Sequence, residues 1–469
     1  MVWWPGAIGR SQINGAADDL SLIRSAGEAT SIPKWRYWLL PAIAFAIARC
    51  FVYAMRYARA REELPDSRAK SPVIYAHFYP VCETALRPLK QAYPGMTIGF
   101  SGRQRFVVPI VRLGIAVLLS FLQPRVLEYA WRTKSWRPWL SDLLLYILVG
   151  RWARSYLEQR CSSVLVFSHD HSPFEKSLVR QANALGIRTV YVQHAAVTSQ
   201  FPPLCATFSF LDGPQAVATY VGIPGSRGQV VMAGRQYSIC SLRSVMGGSV
   251  VLLCTSPIDA VDDWRQVIET LQSAGYTMRL RSHPGERRFG RWQQLSSEFS
   301  IPFLAPTDSS LEDALREVDA VLAGTSAVLL DASLAGRVAV LVEFERDLRR
   351  GFRDHFGFIR HGIAWPARPD TIAADVTAAR QAVAQRGSHS TASYFDVACI
   401  SAPDAQARAL GAILNASASA EDFGGAKFVR RSSTDIPMTF QGFDPWLPAE
   451  AIAGLRSLGP RESIRDQSE

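Results

Sequence analysis

Cysteine is scarce and unpatterned in this 469-residue chain: there are seven, at 50, 82, 161, 205, 240, 254 and 399, with no CxxC pair. That odd, scattered set excludes a disulfide framework and a zinc ribbon and fits a reducing compartment. Acidic residues are the minority charge, 41 Asp and Glu against 51 Lys and Arg, for a formal net charge of +10. A long apolar run is missing too. The best candidate, "YWLLPAIAFAIARCFVYAM" over 37–55, has Arg49 inside it and Pro41 near its start. A spanning helix wants about 20 nearly uninterrupted apolar residues, and a central Arg costs about 2.5 to 3.5 kcal/mol, so a packed or monotopic helix is expected. The first thirty residues show no basic stretch leading into an apolar one, so no secretory leader is expected. No DxD stands in a supporting context, and no metal site is expected.

What is present is length and packing material. With 48% hydrophobic residues, the chain exceeds one ordinary core and suits two domains with extensions. The basic excess concentrates in 101–160, where ten Lys and Arg face Glu128, Asp142 and Glu158, beside Trp131, Trp136, Trp139, Trp152 and the runs "GIAVLLSFL" and "LLLYILVG". Tryptophan, aliphatics and arginine together suit an anionic membrane surface as well as they suit amphipathic helices of a basic domain. Stacking platforms for nucleic acid are not evident, so no nucleic-acid partner is expected.

From residue 71 short apolar runs alternate with amphipathic segments of helix length, the pattern of a parallel α/β architecture. "PVIYAHF" (72–78), "MTIGF" (96–100), "SSVLVFSHD" (162–170), "RTVYVQHA" (188–195), "ATFSFLDG" (206–213) and "QVVMAG" (229–234) read as the strands of a first sheet. Residues 235–248 lack a period and read as a linker. The rhythm restarts with "SVVLLCTS" (249–256), "YTMRLRSHP" (276–284), "IPFLAP" (301–306), "DAVLAGTS" (319–326) and "RVAVLVEF" (337–344). The expected division is an N-terminal helical, membrane-proximal extension over 1–70 and a Rossmann-like acceptor domain over 71–240 with the basic helical insert 101–160. A Rossmann-like nucleotide-sugar domain over 241–415 and a disordered tail over 416–469 follow. Ligands of such sheets bind beyond the carboxyl ends of the strands, which gives priority to the polar residues there.

Arg281 and His283, followed by Pro284, stand at such an end and suit a phosphate held without metal; the plainer reading is a turn that ends the strand. Gly324, Thr325 and Ser326 lead into an apolar helix closed by Gly336, which suits an anion site at a helix start or simply an N-cap. The loop "SHDHSP" offers His169, Asp170 and His171. Asp170 or His171 could serve as general base, and Asp170 or Ser172 could equally cap the next helix. Asp212 is a second candidate base. His194, Gln193 and His77 end strands on the acceptor side.

The order of these pieces resembles a family. "YVQHA", "LDG", "RSHPGE" and "LAGTSAVLLDASLAG" followed by "VAVLVEF" look like the capsular-polysaccharide-synthesis type of GT-B transferases, a group that includes enzymes using CMP-activated Kdo or sialic acid, with CDP-glycerol polymerases as more distant relatives. The likeness runs over about 160–345. It implies two Rossmann-like domains facing a cleft. It also implies a donor nucleotide held by His283 and Pro284 in one motif and Thr325 and Ser326 in the other, with Arg281, Glu286, Gly324 and Asp331 in the same motifs. Departures are Ala195 where relatives read glycine, Ala327 with a later Asp331 where they pair serines before glutamate, and one acidic residue, Asp212, where they have two. The function expected is transfer of a sugar from a nucleotide donor, CMP-linked among the candidates, to a surface polysaccharide or lipid-linked glycan, in the cytoplasm at the inner face of the membrane. No cofactor is expected beyond the nucleotide sugar as substrate. A sugar-nucleotide 2-epimerase and a non-catalytic GT-B scaffold of envelope assembly are the alternatives.

Overall fold

The structure is a computed structural model that describes residues 39–57, 61–63, 71–77, 80–99, 104–105, 128, 131–132, 140–169, 171–199, 201–223, 225–234, 250–286, 289–349, 353–386, 405–415 and 427–430. Within them the strands are β1 (Arg61–Glu63), β2 (Ser71–His77), β3 (Met96–Gly99), β4 (Gln104–Arg105), β5 (Cys161–Phe167), β6 (Arg188–Val192), β7 (Phe208–Leu211), β8 (Gln229–Met232), β9 (Val250–Cys254), β10 (Thr277–Arg281), β11 (Phe303–Leu304), β12 (Ala320–Ala323), β13 (Val338–Val342), β14 (Trp365–Ala367) and β15 (Lys427–Arg430). They form two sheets, ordered β15-β8-β7-β6-β5-β2-β3-β1-β4 and β11-β10-β9-β12-β13-β14. The second sheet is parallel throughout. In the first, β2, β3 and β5 to β8 are parallel, and the short β1, β4 and β15 join antiparallel. The chain is therefore α/β, with two Rossmann-like units.

Alternation along the first sheet sends side chains to two separate cores, as a sheet covered on both faces requires. Ile74, Ala76, Leu165, Phe167 and Tyr191 pack with the helices Leu39–Tyr57, Leu140–Arg160 and Pro173–Ala184. Val73, Tyr75, Val164, Val166, Val190 and Val192 face the other way, toward Leu86 and Leu89 of Pro80–Ala92 and Ala409, Leu410 and Ile413 of Ala405–Leu414. In the second unit Val251, Leu253, Leu280, Leu322 and Val340 meet Trp264, Ile268, Trp292 and Val376.

The compact units are 1–235 with 396–469, and 236–395. The helix Ala405–Leu414 thus belongs to the first unit, where a boundary at 415 would assign it to the second. The reason is packing, since it completes the Val73 core. Arg188 also donates to the Ile413 carbonyl and Gln406 to that of Gly234. Within the stretch read as a tail, β15 pairs with β8, and within the helical extension β1 pairs with β3.

The apolar segment over 37–55 is the helix Leu39–Tyr57, and its Arg49 pairs at 3.1 Å with Asp142 of Leu140–Arg160. The neighbouring Cys50 thiol donates to the Ser141 carbonyl at 3.7 Å. Burial, ahead of the Asp142 charge, pushes that thiol up to about 12. No described helix is long and apolar enough to cross a membrane. Of the tryptophans of the basic insert, Trp131 is exposed, Trp152 stacks on Tyr156 and lies against Phe174, and Trp136 and Trp139 lie outside the described residues.

Candidate functional site

Each parallel sheet has one point where the strand order reverses, and there the carboxyl ends part to leave a crevice. In the first sheet the chain runs from β2 to β3 on one side and then to β5 through β8 on the other, so the reversal lies between β2 and β5. Ala76 stands beside Phe167, and Phe167 beside Tyr191. The residues that follow, His77, Ser168 with His169, and Gln193 with His194, therefore leave the sheet side by side.

That edge gathers imidazoles. The His169 ring lies 5.0 Å from that of His171 and 5.9 Å from that of His194, and Phe201 closes edge-on against His171 at 4.6 Å. His77 is buried, and loss of hydration, assisted by Lys90, lowers its pKa to about 4, so the ring is neutral near pH 7. Its Nε2 has no hydrogen-bond partner among the described residues. Gly99 leaves room for this ring, because a Cβ there would come within 3.0 Å of it.

The helix Pro173–Ala184 delivers a carboxylate to the same group. Ser172 is its N-cap and accepts from the Glu175 amide at 3.4 Å, with Pro173 in the first turn. The Ser-x-x-Glu spacing would place Glu175 in a capping box, reaching back to the cap amide. Instead the Glu175 carboxylate is buried, accepts no hydrogen bond among the described residues, and lies 3.6 Å from His169 Nδ1. A carboxylate behind an imidazole fixes which nitrogen faces outward and stabilises the charged ring when it takes a proton. Gln193 is occupied: its oxygen accepts from the Asp212 amide at 2.9 Å and its nitrogen donates to Ala195 at 2.8 Å. It joins the exits of β6 and β7 and fixes the backbone of buried Asp212. Asp170 lies outside the described residues.

In the second sheet the chain runs from β9 to β10 and β11 on one side, then to β12, β13 and β14 on the other. Arg281, Cys254 and Ala323 are level across β10, β9 and β12. Ser282 with His283, Thr255 with Ser256, and Gly324 with Thr325 and Ser326 accordingly emerge along one edge, spread over two strand spacings, about 10 Å. Thr255 Oγ1 and Ser282 Oγ are buried without a hydrogen-bond partner among the described residues. Such a hydroxyl costs about 1–3 kcal/mol unless something arrives to pair with it.

Around these hydroxyls most polar groups are engaged. His283 is exposed, its Nδ1 accepts from the Gly285 amide at 2.9 Å, and desolvation lowers its pKa while Glu286 works the other way. That bond leaves Nε2 as the nitrogen for a ligand. Pro284 and Gly285 make the turn that carries it. Glu286 is directed away from any ligand: buried, it accepts from Arg291 at 2.6 Å and from the Trp292 indole at 2.9 Å, tying the turn to the helix Phe289–Glu298. Arg281 likewise binds Ser309 through its hydroxyl at 3.0 Å and its carbonyl at 2.9 Å. Thr325 contacts Asp347 at 3.4 Å, and Ser326 accepts from the Val328 amide at 3.4 Å. The helix Val328–Leu334 is capped by Ala327, not by either hydroxyl residue. Its Asp331 is half-buried. Gly324 sits where a Cβ would press on Phe344 at 3.2 Å.

Glu175, Thr255, Ser256 and Ser282 are the site residues that motif reading missed. Asp259 supports them: its carboxylate accepts from the Ser256 amide and the Trp264 indole, both at 2.8 Å, and burial pushes it up to about 6. The signal that could have found Thr255 and Ser256 was position, since "CTS" ends the first strand of the restarted rhythm and the order reverses at that strand. Among the described residues no group of three or more His, Cys, Asp or Glu is arranged to hold a metal ion.

No family model matches the chain, and no curated protein matches it. Solved structures similar to it include MurG of Acinetobacter baumannii, at 14% identity over 57% of this chain and 75% of that one, TM-score 0.31. A UDP-N-acetylglucosamine 2-epimerase is 10% identical over 72% of this chain and 95% of its own, TM-score 0.42. The UDP-GlcNAc 2-epimerase of Neisseria meningitidis bound to UDP-GlcNAc is 10% identical over 67% and 99%, TM-score 0.37.

Proposed function

We propose that the chain is a metal-independent, GT-B-type glycosyltransferase that uses a nucleotide sugar as substrate and needs no other cofactor. The observation that carries the reading is the edge of the second sheet, where two buried hydroxyls with no hydrogen-bond partner among the described residues, Thr255 and Ser282, stand beside His283 and Gly324. A diphosphate or phosphate ester brings acceptor oxygens that hydroxyl, imidazole and backbone N–H donors can all satisfy. On this reading Thr255, Ser256, Ser282, His283, Thr325 and Ser326 hold the donor, and Arg281, Pro284, Glu286 and Asp331 hold the loops that present them.

Imidazoles of the His169, His171 and His194 group are the candidate bases; in the transfer reaction a base takes the proton of the acceptor hydroxyl as that oxygen attacks the anomeric carbon and the nucleotide leaves with the bonding pair. The Glu175 carboxylate lies 3.6 Å from His169 Nδ1 and orients that ring. Asp212 is a further carboxylate of the first unit, Asp170 is kept as a candidate base on the sequence alone, and His77 stays neutral as a donor or acceptor of hydrogen bonds. The sequence resemblance and the basic stretch 101–160 support a polysaccharide or lipid-linked acceptor at the inner face of a membrane, with CMP among the candidate nucleotides.

The test is a thermal-shift series with CMP, CDP, UDP and GDP, repeated on His283→Ala, followed by assays with the matching nucleotide sugar. A ligand at 100 times its dissociation constant stabilises by about 2.7 kcal/mol. One nucleotide is expected to raise the melting temperature of the parent protein and to lose most of that effect in the variant. A melting curve unmoved by all four removes the donor site. Conversion of a UDP-sugar to its epimer without acceptor would replace transferase with epimerase, and binding with no turnover would leave a scaffold.

A further inference from the structure

Two loops carry the donor-facing groups of the second unit, and one guanidinium holds both. The first loop follows β9 and runs from Thr255 to Asp259; the other follows β10 and runs from Ser282 to Glu286. Cys254 and Arg281 are level in the sheet, so the loops leave neighbouring strands side by side, about 5 Å apart. At their root the Thr255 amide donates to the Arg281 carbonyl at 2.9 Å. Each loop is a turn shaped from within. In the first, the Asp259 carboxylate accepts from the Ser256 amide at 2.8 Å; in the other, His283 Nδ1 accepts from the Gly285 amide at 2.9 Å.

Farther out, Arg291 joins the two. It stands on the helix Phe289–Glu298, outside both loops. Its Nη1 donates to the Asp259 carbonyl at 3.0 Å and its Nη2 to the Pro257 carbonyl at 3.3 Å, both in the first loop. Nη2 also donates to the Glu286 carboxylate of the other loop at 2.6 Å. The Trp292 indole donates to that same oxygen at 2.9 Å, and the guanidinium lies over the Trp292 ring at 4.5 Å. A guanidinium presents its donors in one rigid plane, so acceptors from two loops are held at a set separation. The acceptors it takes are carbonyls and a carboxylate, which leaves the hydroxyls of Thr255 and Ser282 and the His283 imidazole to other partners.

We propose that Arg291 is a positioning residue of the donor site: it fixes Thr255 and Ser256 against Ser282 and His283, so that both sets meet the phosphate oxygens of one nucleotide. This role rests on the donor-site reading given above. Without the brace each turn keeps its own shape, and the separation between the turns is lost.

The experiment uses the full chain and the variants Arg291→Ala, Arg291→Lys and Arg265→Gln. Arg265 pairs with Glu298 at the far end of the same helix and lies over Phe299, so its loss reports on docking of the helix alone. Hydrogen exchange is followed by mass spectrometry over 255–259, 282–286 and strands β9 and β10. In Arg291→Ala both loops are expected to exchange about tenfold faster, the usual effect of losing a charged hydrogen bond, with the strands unchanged. A lysine keeps the charge beside Glu286 and lacks the second arm, so in Arg291→Lys the first loop alone is expected to speed up. Calorimetry with the nucleotide found by thermal shift, well below the melting temperature, is expected to show affinity about tenfold weaker in Arg291→Ala, partly recovered in Arg291→Lys and unchanged in Arg265→Gln. Parent-like exchange of either loop in Arg291→Ala, or parent-like affinity in that variant, overturns the brace and leaves the donor site standing. If the strands of Arg291→Ala loosen as well, Arg291→Lys decides, and an equal response of its two loops overturns the brace. A parent chain that binds none of the four nucleotides removes the donor site itself, a failure seen before any variant is made.

Discussion

Replacing Thr255 by valine separates a ligand-binding hydroxyl from a structural one, because the two roles predict opposite signs. Thr255 follows β9, where its amide donates to the Arg281 carbonyl at 2.9 Å, a bond the substitution keeps. The side chain is buried, and Oγ1 has no partner among the described residues. An unpaired buried hydroxyl carries a desolvation penalty of about 1–3 kcal/mol, and valine fills nearly the same volume without it. The unliganded variant should therefore be as stable as the parent or more stable by about 1 kcal/mol. Toward the donor nucleotide the sign reverses. A hydrogen bond to a charged oxygen contributes about 1.5–3 kcal/mol, so affinity should fall by roughly tenfold to a hundredfold. Urea unfolding monitored at the midpoint with an unchanged slope gives the first quantity, and calorimetry with the nucleotide identified by thermal shift gives the second. A variant that is less stable by more than 1 kcal/mol, with binding intact, would mean that the hydroxyl is used inside the fold and would refute the reasoning.

Other substitutions probe the scaffold and the second carboxylate. Arg49→Met should destabilise by about 3 kcal/mol, since it strips the ion pair from buried Asp142, and Asp142→Asn in the same chain should restore part of the loss; equal effects with and without Asp142 would contradict the pairing. Asp259 has a folded pKa raised from 3.8 to about 6 by burial, so its contribution to stability is complete below its unfolded pKa and is lost as pH rises through 6. Asp259→Asn should flatten the stability profile between about pH 4 and 6 by an amount on the order of 3 kcal/mol, and an unaltered profile would discount the burial argument. For His77 the folded pKa is lowered to about 4, so its contribution is present above the unfolded value of 6.5 and disappears as pH falls through 4; His77→Gln should remove that acid-side decline in chemical denaturation. Glu175→Gln should lower kcat far more than it raises KM, while nucleotide affinity holds; a change in KM with kcat intact would make the carboxylate structural.

The strands were legible because parallel strands covered on both faces read as unbroken apolar runs, as in "VLVF" of β5 and "VAVLV" of β13. The crevice residues were legible as a class, since polar residues after such runs fall at carboxyl ends. Their individual tasks were not. Glu286 reads like a ligand beside His283, yet its partners Arg291 and Trp292 lie on the following helix, and only that helix's docking reveals the bond. Glu175 reads as half of a capping box, and its turn toward His169 depends on where β5 and the helix meet. Trp152 reads as interfacial and packs against Phe174, a long-range contact no local pattern encodes. The place of Ala405–Leu414 was hidden for the same reason: an apolar helix carries no mark of which sheet it will cover.

That late helix makes the first unit discontinuous in sequence, with 236–395 between its two parts. On the ribosome, strands β2 to β8 emerge with the Val73 face covered in part by Leu86 and Leu89, and translation at 5 to 20 residues per second leaves the rest of it open for roughly ten seconds or more before Ala409, Leu410 and Ile413 arrive. The intervening unit, continuous in sequence, can close in that interval. Nascent chains are thus most exposed to chaperones and proteases in their earliest-made half.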